Sequence, residues 1–144
     1  MSHNAPQTSA QTASQTASQT APKPSLHSWG SITPEQLSPL LTRQYITGQE
    51  VMLARIVLRK GCIVPQHSHP NEQIAFILEG ALRFNLPGES HTVHAGEILV
   101  IPANVPHSAE ALEDTIDFDL FAPPRQDWID GQDAYLRAPE PAPR

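Results

Sequence analysis

Apolar and polar positions alternate with a period of two along several short runs of the chain. Leu82, Phe84 and Leu86 alternate with Arg83 and Asn85. Over residues 115–121, Ile116, Phe118 and Leu120 fall on one face of an extended chain, and Asp117, Asp119 and Phe121 on the other. Residues 51–58 are different. Val51, Leu53, Arg55 and Val57 share one face, Met52, Ala54, Ile56 and Leu58 the other, and both are mostly apolar. That pattern predicts a strand covered on both sides. Further strands are expected over residues 43–47, 73–78 and 97–101, with a short polar one over 90–94. Turn chemistry punctuates these runs at Gly48-Gln49, Glu79-Gly80, Pro87-Gly88-Glu89 and Ala95-Gly96, while Pro102 and Pro123-Pro124 end strands. The one helical signal is Thr33-Pro34-Glu35-Gln36. It offers Thr as N-cap, Pro at the first helical position and Gln three after the cap, with Pro39 limiting the helix to about one turn. Residues 125–136 are expected to wrap the domain through Trp128, Ile129 and Tyr135. Many short strands, turns about every eight to twelve residues and almost no helix predict an all-β fold, an antiparallel sandwich or barrel. A jelly roll with a small ligand pocket fits best.

The ends read differently. Gln11-Thr12-Ala13-Ser14 recurs as Gln15-Thr16-Ala17-Ser18, and Gln19-Thr20-Ala21 begins a third copy. A segment this polar cannot bury enough apolar surface to offset chain entropy, so residues 1–24 are expected to form a disordered tail. Residues 25–136 then make one domain, and the Pro/Ala-rich residues 137–144 a flexible end. Both ends contribute to the low apolar fraction of 39% and the count of 15 prolines. A net charge of −6 without a basic cluster argues against nucleic acid as a partner. The lone Cys62 excludes an intramolecular disulfide and suits a reducing compartment. No run approaches the ~20 apolar residues of a membrane helix, and the N-terminus lacks an apolar signal-peptide core. A cytoplasmic protein without membrane contact is the expectation.

Candidate chemistry gathers in two blocks. His67 and His69 are two apart, so in an extended segment both imidazoles point the same way. Gln73 keeps that parity and Glu72 does not. The second block holds Gly96-Glu97, Ile101-Pro102 and Pro106-His107. Three imidazoles and an amide oxygen make a four-ligand pocket for a divalent transition metal. Imidazole suits zinc, copper, iron and nickel, and a carbonyl oxygen suits manganese. The alternative is a set of unrelated surface histidines, which is how His91 and His94 read. Cys62 reads as a small buried filler.

These residues resemble the cupin superfamily. Its first motif is matched by Gly61, His67, His69, Gln73 and Gly80, and its second by Gly96, Pro102 and His107, with the spacings kept. Gln73 stands where Glu is usual, and Asn104 where Gly is common. The resemblance spans residues 40–128 and implies a jelly-roll barrel and a metal site. It says little about the reaction, since one fold hosts many activities. A narrower resemblance, to the KdgF-type cupins of pectin degradation, rests on the Gln-containing site and on Asp119, Phe121, Pro123 and Arg125, followed by Asp127-Trp128. It implies ketonisation of 4,5-unsaturated uronates, with Asp119 moving a proton, Phe121 shaping the wall and Arg125 reaching the substrate carboxylate. Taken singly, Asp119 could be an exposed edge acid, Arg125 a solvated surface residue and Phe121 a core filler. Tyr45 and Arg55 are open as pocket residues. Four neutral ligands leave the ion its full charge, which favours Lewis-acid chemistry over dioxygen activation. The expected function is therefore a metal-dependent isomerase for an anionic sugar acid. A metal cupin dioxygenase or lyase, and a non-catalytic small-molecule-binding cupin, stand as alternatives. The two-sided apolar strand and the habit of small cupins to pair imply a homodimer.

Overall fold

The computed structural model describes residues 21–137. Ten strands follow one another: β1 (Glu35–Ser38), β2 (Leu41–Thr47), β3 (Met52–Leu58), β4 (Ile63–His67), β5 (Glu72–Glu79), β6 (Ala81–Leu86), β7 (Glu89–His94), β8 (Ile98–Ile101), β9 (His107–Ala111) and β10 (Thr115–Ala122). They form two antiparallel sheets, one ordered β1-β2-β3-β10-β5-β8 and the other β4-β9-β6-β7. The sheets face each other across a core that includes Leu41, Met52, Leu58, Ile77, Leu82 and Phe84. This is the expected all-β jelly roll. The expectations for the tail over residues 1–20 and for residues 138–144 lie outside the described residues. No helix among the described residues is long and apolar enough to cross a membrane.

The helix expected at Thr33-Pro34-Glu35-Gln36 does not form. Residues from Glu35 onward are strand β1, paired Glu35 to Arg43 and Gln36 to Thr42. A single turn of helix fixes several residues for one hydrogen bond. Pairing with β2 satisfies the same backbone groups and buries Leu37. The helical turn that does form is 3-10, at Trp29–Ser31. It lies against the outer face of the larger sheet, where Trp29 meets Phe118 with ring centroids 5.9 Å apart. The Gln44 side-chain amide donates to the carbonyls of Trp29 and Ile32, at 2.8 and 2.7 Å.

Strand β3 also departs from expectation. Met52, Ala54, Ile56 and Leu58 are buried, but Leu53 is 39% exposed, and Arg55 and Val57 beside it are half-buried. Within one copy of the chain the inner face is fully covered and the outer face only in part. Turn chemistry behaves as expected. At Gly80, which joins β5 to β6 with φ +87°, an added Cβ would sit 2.3 Å from the Asp114 carbonyl oxygen, so no side chain fits.

After β10 the chain turns at Pro123-Pro124, forms the short helix α1 (Gln126–Ile129) and reaches a 3-10 turn at Ala134–Leu136. Trp128 and Leu136 bury themselves against the core cluster and Tyr135 packs on it, but Ile129, expected to wrap the domain with them, is 46% exposed because it sits on the solvent side of the short helix. Buried Asp133 ties this strap to β2 through Arg43 Nη2, at 2.8 Å.

Candidate metal centre

The two motifs meet at one end of the barrel. His67 ends β4 and His107 begins β9, and the two are register partners with ring centroids 4.3 Å apart. His69 lies in the loop that carries the chain from one sheet to the other. Gln73 is on β5, in the opposite sheet. A single extended segment therefore does not explain why these side chains converge, because the chain changes sheets between His67 and Gln73. Two contacts hold the crossing loop. The backbone N–H of Asn104 donates to the His69 carbonyl at 2.8 Å. The buried Asn71 amide donates to the carbonyls of Pro123 and Pro124, at 2.6 and 3.2 Å. Asn104 itself has φ +66°, the left-handed region that Asn tolerates, which explains how it fills a common glycine position.

The orientation of all three rings follows from backbone carbonyls. Nδ1 of His67 bonds Pro65 O at 2.7 Å, that of His69 bonds Asn71 O at 3.0 Å, and that of His107 bonds Val105 O at 2.8 Å. A carbonyl only accepts, so each Nδ1 carries the proton and each neutral ring presents the lone pair of Nε2. Burial lowers the pKa of His67 and of His69 to about 4, and lowers that of His107 as well, so at neutral pH the rings are uncharged. Ring nitrogens of the three histidines lie within 4.8 Å of one another.

Two features call for a cation. His107 Nε2 is buried without a partner. His69 Nε2 stands 3.1 Å from Gln73 Oε1, which sets one acceptor against another. On its other side Gln73 donates Nε2 to Asp119 Oδ1 at 3.1 Å. Turning the amide over would place Oε1 against that carboxyl instead. Three Nε2 lone pairs and an amide oxygen thus face one point, and these residues fit a divalent metal.

Asp119 is buried, as is Asp117 two residues away on the same inward face. Burial raises the pKa of Asp119 to about 6, against the opposing pull of bonds from Asp117 and Gln73 and of the Arg125 charge. Asp117 is raised too, by burial and then by Asp119. Arg125 is 1% exposed. It donates Nε to Asp127 Oδ1 at 2.9 Å, and Nη2 to Asp127 Oδ2 and to the Tyr135 hydroxyl at 2.7 and 2.5 Å. Its guanidinium lies 4.9 Å from the Phe121 ring and 4.7 Å from Trp128. Both Nη2 hydrogens and the Nε hydrogen are engaged. That leaves Nη1 as the guanidinium nitrogen of Arg125 without a bond partner on its own strap, among the described residues. One cavity is lined by His67, Gln73, His107, Asp119, Phe121 and Arg125.

Residues 54–122 match the family model described as a cupin domain. The chain is a cupin. KdgF from Halomonas sp. is similar at 27% identity, with a TM-score of 0.68 over 72% of this chain and 99% of that one. An RmlC-like cupin from Shewanella frigidimarina is similar at 26% identity, with a TM-score of 0.68 over 74% and 96%. The oxalate decarboxylase of Bacillus subtilis, at 22% identity and a TM-score of 0.59 over 67% of this chain and 28% of that one, shares the fold. No curated protein matches.

The barrel brings together all seven residues singled out by motif: His67, His69, Gln73, His107, Asp119, Phe121 and Arg125. Tyr45 points inward, with its ring 5.9 Å from Trp128. Arg55 points outward and reaches Gln44. Four residues of this cupin's site escape a motif search. Asp117 shares inward parity with Asp119, which is a usable signal. Arg43 sits two before Tyr45 and is buried, Asn71 holds the loop, and Tyr135 stacks on His67 at 4.7 Å. For the last two nothing local announces the role.

Proposed function

We propose that this cupin ketonises an unsaturated uronate or a similar enolisable sugar acid, with a divalent transition metal held by His67, His69, Gln73 and His107. A bound ion supplies Lewis-acid polarisation of a substrate oxygen. Asp119 moves the proton to or from carbon. Phe121 forms the wall, and Arg125 Nη1 contacts the carboxylate. The observation that carries this reading is Asp119 itself: a buried carboxyl, 3.1 Å from the amide of the fourth ligand, in the cavity that Arg125 also lines. Burial tunes it to about 6, near the pH at which it must both give and take a proton. The resemblance to KdgF supports the choice of substrate. The setting is cytoplasmic in this reading, in keeping with the single buried thiol of Cys62.

The test is to add a 4,5-unsaturated uronate to metal-loaded protein and follow the loss of enol absorbance. Asp119→Asn should lower turnover by about 10²–10⁴, the usual weight of general acid–base catalysis, with metal content kept. Absence of any reaction, together with dioxygen uptake by iron-loaded protein, would replace this reading by an oxygenase. We also propose a homodimer that covers the outer face of the larger sheet, where Leu53, Ile98 and Val100 are 39%, 61% and 55% exposed. Sedimentation as a monomer at micromolar concentration would remove the dimer.

A further inference from the structure

The cavity that holds His67, Gln73 and His107 has a volume of about 50 Å³. That is room for a few waters, whereas pockets for small-molecule ligands measure about 300–1,000 Å³. A sugar acid does not enter unless part of the wall moves. Most of the wall is sheet. The exception is the strap after β10, which contributes Arg125, Trp128, Tyr135 and Leu136.

The strap has no backbone tie to either sheet. Among the described residues, every backbone hydrogen bond of residues 126–137 stays within residues 125–137. Gly131 N–H donates to Trp128 O at 3.2 Å, Gln132 N–H to Asp127 O at 2.7 Å and Leu136 N–H to Asp133 O at 3.0 Å. Such a segment opens at lower cost than a strand held in a ladder. Gly131 lies between α1 and the 3-10 turn, with φ +72° and open space around it, and this conformational freedom suits a hinge. Beyond it, side chains alone hold residues 132–137 on the barrel. Asp133 Oδ2 accepts from Arg43 Nη2 at 2.8 Å. Tyr135 stacks on His67, and its hydroxyl accepts from Arg125 Nη2 at 2.5 Å and from Trp128 Nε1 at 3.5 Å. Leu136 is buried, and exposed Arg137 reaches Glu35 at 3.4 Å.

Two of these contacts fall on the site itself. The Tyr135 ring covers His67, and its hydroxyl occupies an N–H of the guanidinium that the substrate carboxylate needs. Withdrawing Tyr135 and Leu136 enlarges the cavity, uncovers His67 and frees Nη2 beside Nη1. Those two nitrogens can hold a carboxylate by two parallel bonds. We propose that residues 132–137 are a lid, hinged at Gly131 and latched by Asp133 on Arg43, and that a substrate carboxylate displaces the Tyr135 hydroxyl from Arg125 as the lid opens. Tyr135 is then the gate of the site, and buried Arg43 is the fixed half of the latch. The identity of the ligand rests on the sugar-acid reading of the site, whereas the lid is tested without that ligand.

The experiment has two readouts, neither of which needs turnover. Cobalt-loaded protein is mixed with excess EDTA, and loss of the bound ion is followed by its visible absorbance. EDTA is too large for the closed cavity, so the rate reports opening. Asp133→Asn removes the charge from the latch and touches none of the metal-site residues. It should release cobalt at least about tenfold faster than wild type from the same starting occupancy, the scale of one charge-assisted hydrogen bond. Tyr135→Phe keeps the ring on His67 and loses the hydroxyl on Arg125. It should also release cobalt faster. In calorimetric titration of the metal-loaded protein it should bind gluconate about tenfold more tightly than wild type, because the lid no longer competes for Nη2. A fixed wall predicts the reverse, binding unchanged or weakened by the lost hydroxyl. Release at the wild-type rate in folded Asp133→Asn overturns the lid. If Asp133→Asn proves unfolded by circular dichroism, release from the near-isosteric Tyr135→Phe decides in its place. Gluconate bound by wild type and no more tightly by Tyr135→Phe overturns the gate. If neither form binds gluconate, cobalt release alone decides the lid, and the sugar-acid reading falls on its own.

Discussion

Strands β6 and β10 belong to opposite sheets of the barrel and bury opposite chemistry. β6 turns Leu82 and Phe84 inward and Arg83 and Asn85 toward solvent, as an ordinary half-buried strand does. β10 buries Asp117 and Asp119 and turns Ile116, Phe118 and Leu120 outward. The smaller sheet supplies packing at this level, and the larger one gives part of its inner face to the site. The cost of burying two carboxyls on β10 is offset by the apolar inner faces of β3, β5 and β6. The comparison predicts that substitutions on β6 act on stability, whereas inward substitutions on β10 act on chemistry and on the response to pH.

The largest stability effect should come from β6. Phe84 is 2% exposed and packs in the shared core cluster. Phe84→Ala should destabilise the fold by about 3–5 kcal/mol, the usual cost of removing a buried aromatic ring. Chemical denaturation is the check. A loss under about 1 kcal/mol would mean that β6 does not carry the packing assigned to it.

Asp119→Asn should move stability in the other direction at neutral pH. The folded-state pKa of Asp119, about 6, lies above its ordinary 3.8. Its stabilising contribution is therefore complete below 3.8 and lost as pH rises through 6. The Asn variant should melt higher than wild type above pH 6, and the advantage should vanish toward pH 4. His67 and His69 have the opposite sign. Their pKa values fall from 6.5 to about 4 on folding, so their contribution is present above 6.5 and lost as pH falls toward 4. In metal-free protein the two effects oppose each other between about 4 and 6. Removing Asp119 should steepen the acid-side loss of stability, although Asp117, raised in the same direction, remains. Melting temperature against pH for both proteins, after chelation, checks the sign. Parallel curves would show that folding leaves the pKa of Asp119 unshifted.

The faces of β6 and β10 were both legible in the sequence, because a period of two is a local property. So was the convergence of His67, His69, Gln73 and His107, since motif spacing holds even where parity fails at the sheet crossing before Gln73. The acidic face of β10 could not be identified as the inner one from β10 alone, because apolar burial would place Ile116, Phe118 and Leu120 inside. The neighbours decide. Asp119 pairs with Ala54 on one side and Ala75 on the other, both fully buried, so its face is the covered one. Arg43 lay further out of reach. Its partner Asp133 is 90 residues away, and only the path of the strap brings them together. The false helix at Thr33 fails for the same reason, since a local capping signal yields to strand pairing.

Intermediate in size is the effect of His107→Ala. It removes the one ring among the described residues whose Nε2 is buried without a partner, and should cost most of the bound metal by elemental analysis while leaving the barrel folded. Full occupancy in that variant would separate the second motif from the site.

The smallest effect belongs to the outer face of β6. Arg83 pairs with Glu110 across β6 and β9, Nη2 to Oε2 at 2.5 Å. The distance is short, but the side chains are 40% and 37% exposed. Water and salt screen such a pair, and holding two long side chains together costs rotamer entropy, so exposed pairs contribute about 0–1 kcal/mol. Arg83→Ala should therefore shift the denaturation midpoint only slightly, and the shift should shrink further in about 1 M salt, where the screening length is near 3 Å. The same charge on the inner face of the barrel behaves differently. Arg43 is buried against Asp133, and breaking that pair leaves its charge with only the partly exposed Glu35 as a partner, at a cost of up to about 3 kcal/mol that salt does not remove. Measuring Arg83→Ala and Asp133→Asn side by side at low and high salt sharpens the contrast. A salt-independent loss of several kcal/mol for Arg83→Ala would mean that the outer face of β6 is covered in solution, and that the proposed dimer uses the smaller sheet rather than the larger one.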